Sequence, residues 1–152
     1  MESLKIIQEF LDKGNIENNI ELLPNGNSIL NIRYKGKISD RWICAEEPSE
    51  DSKQVRIYSI VAKGCKEAKY NICRIINGYN KKYDYVKFFY QESEQGEYVF
   101  ASYCIPSLKS GLQFYFGKVF LSFISALDEV TCAIPQTVFN GQVKTWYFAD
   151  DE

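Results

Sequence analysis

The side chains available for chemistry are cysteines, carboxylates, serines and tyrosines; there is no histidine. Five cysteines stand at positions 44, 65, 73, 104 and 132. A thiolate can be a nucleophile or a metal ligand, but the number is odd, the spacings are wide and no C-x-x-C pair occurs. Disulfide frameworks and zinc sites show paired, close spacings, and without histidine a Cys/His zinc site cannot form. The thiols therefore read as reduced and mostly buried. Cys73 lies off the apolar stripe of its predicted helix, which makes it a partly exposed thiol.

Carboxylates gather at Glu46-Glu47, at Glu50-Asp51, and at Glu92, Glu94 and Glu97. Paired carboxylates can exchange protons or hold a divalent ion, yet no EF-hand spacing is present, and loop charges of this kind are normally solvated. General acid–base and triad chemistry runs mostly through histidine. Phosphate-binding loops need closely spaced glycines ahead of a helix, whereas the nine glycines here are dispersed. Asn25-Gly26 and Asn140-Gly141 are turn signals. The sequence thus predicts a non-enzyme with no catalytic residue, no metal site and no cofactor. Serine, tyrosine or carboxylate catalysis leaves no local signature, so an enzyme of unrecognised type stays open as an alternative.

The elements that position these side chains fit one domain. The chain has 152 residues, 45% hydrophobic and 25% charged, with 11 Tyr, 10 Phe and 2 Trp, a composition that supports a real core. Net charge is −2 and the pI is about 5.3. Lysines and arginines are scattered among acids, which argues against a nucleic-acid or anionic-membrane partner. The start of the chain lacks the apolar run of a secretory signal. The most apolar stretch, 112–127, is interrupted by Gln113 and Lys118 and falls short of the ~20 apolar residues of a membrane span. A cytoplasmic protein is the expectation, with one domain over 1–135 and an aromatic, acidic tail over 136–152 packing on the domain or on a partner.

Periodicity predicts a helix over 3–13, with Ser3 as cap, Leu4, Ile7, Phe10 and Leu11 as its stripe, and Gly14 as its left-handed stop. Strands follow over 20–23, 28–34, 41–47 and 54–62, separated by turn residues. A second helix spans 66–81 on Ala68, Ile72, Ile75, Ile76 and Tyr79. A hairpin over 85–91 and 98–105 turns at Ser93-Glu94-Gln95-Gly96, and a third helix runs over 110–132. Helices and antiparallel strands in separate blocks mean an α+β fold with the helices on one face of the sheet.

The third helix is apolar over more than one face. Leu112, Phe116, Val119, Phe120, Phe123, Leu127 and Val130 form a core stripe, while Phe114, Gly117, Leu121 and Ile124 form a second row on a flank. A surface helix needs one buried stripe, so the second row requires a cover. That cover is either the chain itself, through its aromatic tail or another helix, or a partner, since exposed apolar patches mark interfaces. On the partner reading Phe114, Gly117, Leu121 and Ile124 are the binding residues, and a two-fold homodimer is the default assembly.

The order α-β-β-β-(β)-α-β-β-α resembles the fold of the type III secretion chaperones and of the bacterial YbjN-like domains, described as candidate sensory-transduction regulators. The local match is Ile72-Cys73-Arg74-Ile75-Ile76-Asn77-Gly78-Tyr79-Asn80 followed by Tyr85-Val86-Lys87-Phe88-Phe89. It looks like that family's apolar helix with an Asn-containing turn, then a hairpin and a long final helix. The resemblance covers about residues 1–132. It implies a small, non-enzymatic, often dimeric protein that binds polypeptide segments or regulates by contact, and it carries over no catalytic residue. The acidic pI and acidic loops also fit an immunity-type protein that neutralises a basic toxin.

Overall fold

The structure is a computed structural model that describes residues 2–35, 40–47, 54–106 and 111–134. Helix α1 (Glu2–Lys13) buries Leu4, Ile7 and Leu11 completely, because steps of three and four residues return to one face. It closes in a Schellman arrangement. The amide of Ile16 donates to Leu11 O at 2.9 Å and that of Asn15 to Asp12 O at 3.1 Å. The left-handed residue is Asn15 (φ 56°) rather than the expected Gly14, and asparagine is the side chain that tolerates this region best after glycine.

Strands β1 (Glu17–Leu22), β2 (Ser28–Lys35), β3 (Asp40–Glu47) and β4 (Gln54–Lys63) form a meander. A 3₁₀ turn (Lys66–Ala68) leads into helix α2 (Lys69–Lys82). Hairpin β5 (Lys87–Ser93) and β6 (Gly96–Pro106) precedes helix α3 (Leu112–Ala133). The six strands make an antiparallel sheet in the order β1-β2-β3-β4-β6-β5. This is the α+β architecture the periodicities predict, with the bracketed fourth strand present.

Alternation assigns the two faces. Leu30, Ile32, Ile43, Ala45, Ile57 and Ala101 point to one core shared with all three helices. Their neighbours in the strands form the far face, where Arg33 pairs with Trp42, Cys44 with Tyr58, Glu46 with Arg56 and Phe89 with Phe100 across the ladders. The expected alternation through β4 fails at one place: a bulge between Ile60 and Ala62 shifts the register and lets the consecutive Val61 and Ala62 both enter the core.

Two polar side chains lock the helices to the sheet. Arg41, at the start of β3, is 2% exposed and donates to Asp128 Oδ1 at 3.1 Å and Thr131 Oγ1 at 2.8 Å on α3. Asn80, near the end of α2, donates to Phe88 O at 2.8 Å and accepts from the Phe88 amide at 2.6 Å. Phe88 lies on β5, the strand at the sheet's edge, so this amide completes backbone bonds that a further strand would otherwise make. Asn80→Ala leaves both groups without that partner and is expected to cost about 1–2 kcal/mol. It should also raise aggregation on heating. Urea unfolding with turbidity reads both effects; an unchanged midpoint with a clear solution would remove this role from Asn80.

The five thiols are unlinked, but only Cys44 is buried; Cys65 and Cys73 are half-buried, and Cys104 and Cys132 are exposed. The expectation of mostly buried thiols therefore holds for one of them, because Cys104 and Cys132 fall on outward positions of β6 and α3. Burial pushes the Cys44 thiol up to about 12, ahead of the effect of neighbouring acids, so it stays protonated and inert.

Candidate functional site on the outer flank of the last helix

Helix α3 begins after Gly111, which takes the left-handed conformation (φ 79°). Its core stripe is as expected: Leu112, Phe116, Phe120, Phe123 and Leu127 are all buried. Phe116 stacks on Phe120 with ring centres 5.2 Å apart and meets Phe10 of α1 edge-on at 5.6 Å.

The four residues of the second row separate. Phe114 is 71% exposed and Leu121 is 65% exposed. Gly117 lies against α1, where a Cβ would come within 2.9 Å of the Phe10 ring; its missing side chain lets the two helices approach. Ile124 is 6% exposed and belongs to the core. Gly117 meets α1 through the Phe10 ring and Ile124 is buried in the core, so the chain itself covers that half of the row. Phe114 and Leu121, seven residues apart, remain as an outward ridge.

The ridge borders a groove. Tyr83, Tyr85 and Val86 from the α2–β5 connection, Tyr103 from β6, and Tyr115, Lys118, Val119 and Ser122 from α3 enclose about 530 Å³. A second hollow of about 570 Å³ lies on the other side of Phe114, between α1 and α3. Tyr85 and Tyr103 have ring centres 5.9 Å apart. Lys118 places its ammonium 5.3 Å from the Phe114 ring centre, an attraction worth about 0.5–1 kcal/mol at an exposed site.

Two phenols of the groove, Tyr83 and Tyr103, are held in their protonated form. Burial raises Tyr103, helped by a hydrogen bond with Tyr115. Burial also pushes Tyr83 up to about 12, reinforced by its bond to Glu129, which Lys82 holds from the other side. Neutral hydroxyls on aromatic walls are donors and acceptors for peptide groups, not nucleophiles at neutral pH. Among the described residues, the groove carries one carboxylate, Asp84, and no cysteine. Among the described residues, no three Cys, Asp or Glu side chains come close enough to hold a metal ion.

No protein-family model matches the chain. No curated protein matches it in sequence. The structure superposes on the crystal structure of YbjN from E. coli, a proposed transcription regulator, with a TM-score of 0.59 over 87% of this chain and 96% of that one. The chain has a YbjN-like fold. Identity across the match is 9%, so the likeness is one of architecture, and YbjN-like topology by itself assigns no activity. No described helix is long and apolar enough to cross a membrane.

Within this YbjN-like frame, sequence periodicity locates Phe114 and Leu121 but not the tyrosine groove beside them. Its walls come from residues 83–86, 103 and 115–122, which only the tertiary fold brings together. The one local signal was the tyrosine density at 79, 83 and 85.

Proposed function

We propose that the protein is a non-enzymatic binding module, chaperone-like or regulatory, that holds a polypeptide segment of a partner along the outer flank of α3. The observation that carries this reading is the pairing of an exposed ridge, Phe114 and Leu121, with a groove walled by four tyrosines. Tyrosine supplies large amphipathic contact area with little entropy to lose, and it is enriched where proteins bind proteins. A groove of this volume takes a few side chains of a segment rather than a folded domain. A second copy of the chain, laid on the same ridge, is the homodimer form of the same surface.

The immunity-type reading draws less from the structure. Glu46 is bound to Arg56 at 2.7 Å, Glu92 to Lys69, and Glu97 accepts from Tyr90. Glu50 and Asp51 lie outside the described residues. Acids engaged within the chain offer less charge to a basic partner.

The test begins with Leu121→Lys. Because Leu121 is exposed, the substitution should leave the melting midpoint within about 0.5 kcal/mol of wild type in stability terms. It should reduce binding of an apolar dye and abolish any self-association seen by light scattering. A clear loss of stability would mean that the chain itself covers the ridge, and would overturn the reading.

A further inference from the structure

We infer that the far face of the sheet is the docking site of the chain's own C-terminal segment, 136–152. Among the described residues no helix lies on this face, yet Cys44 is 1%, Ile60 4% and Ile29 8% exposed there. None of these three belongs to the core cluster beneath the helices. A sheet face without a second layer leaves its central side chains open to water, so their burial calls for a cover.

The course of the chain brings that cover to the right place. Thr131, near the end of α3, lies 3.4 Å from Val61 O and holds Arg41. The helix therefore ends at the rim of the sheet where Trp42 and Ile60, the neighbours of Arg41 and Val61, turn to the far side. From there, 136–152 fully extended reaches roughly 55 Å, and a sheet of six strands is about 24 Å across.

The chemistry matches. The segment carries Phe139, Trp146, Tyr147 and Phe148 and ends in Asp150-Asp151-Glu152. The far face carries Trp42, Tyr58 and Phe100 with the cations Arg33 and Arg56, whose guanidinium carbons lie 6.0 and 5.3 Å from the Trp42 and Tyr58 ring centres. Aromatic rings packing among rings is a self-consistent pairing; Arg56 is already bonded to Glu46 at 2.7 Å, so the aromatic contacts carry the match. The segment then does not compete for the α3 ridge, which lies on the opposite layer.

A photoreactive benzoylphenylalanine placed at Trp146 of the full chain tests this. The expected products are crosslinks within one chain to peptides containing Trp42, Tyr58 or Phe100, unchanged on dilution and reduced by Phe89→Lys, a substitution at a half-open position of that face (42% exposed). Crosslinks to the α3 peptide bearing Phe114 and Leu121 would overturn the inference. So would adducts at twice the chain mass, or no crosslink at all.

Discussion

Asp128→Ala is expected to destabilise the fold by about 3 kcal/mol or more, because it strands a buried guanidinium. Arg41 is 2% exposed and its salt bridge to Asp128 spans 3.1 Å. Its Nε has no hydrogen-bond partner among the described residues, so the site has little to spare when the carboxylate is lost. Burial already works against the charge and lowers the pKa of Arg41, with Asp128 opposing that shift. The double variant Arg41→Met with Asp128→Leu removes both charges and should recover most of the loss, since apolar replacements of buried pairs are often neutral or better. Urea unfolding of the wild type, the single and the double variant measures this. A single-variant loss under about 1 kcal/mol, or a double variant no better than the single, would show that the pair does not anchor α3.

The second large effect is expected at Phe116. Its ring is fully buried between Phe10 and Phe120, and truncating such a ring leaves a cavity that costs about 3–5 kcal/mol. Phe116→Ala should therefore unfold at much lower denaturant, while Phe114→Ala, two positions away on the same helix, should be nearly neutral. The contrast isolates the two faces of α3: one that holds the domain together, and one free to meet something else. Similar losses at the two positions would mean that Phe114 is also part of the fold's interior.

How far the sequence speaks for itself can be judged on α3. A period of 3.6 residues identifies the core stripe and sets Phe114 and Leu121, which the structure leaves exposed, on a separate flank. It misplaces Ile124, because the buried arc of a helix depends on how many neighbours it has, and α3 packs on both the sheet and α1. Gly117 is the trace of that second contact: a mid-helix glycine signals close approach, and the approaching group is Phe10. The strands were legible because turn residues punctuate them, whereas the bulge at Ile60 and Ala62 was not, since a run of apolar residues hides a register shift. Arg41 and Asn80 could not be read as anchors, because their partners are 87 and 8 residues away in sequence and meet them only in the folded chain. The tyrosine groove was hidden for the same reason.

The most direct test of a polypeptide-binding flank is comparative affinity capture from the native cell extract, using wild type and the Phe114→Ser, Leu121→Lys double variant at equal concentration. Melting curves of the two baits should coincide, since both positions are exposed. The account predicts that a defined set of proteins, or tagged copies of the chain itself, is retained by wild type and lost from the double variant, and that a synthetic segment from a retained protein competes for binding. Equal retention by both baits would contradict it.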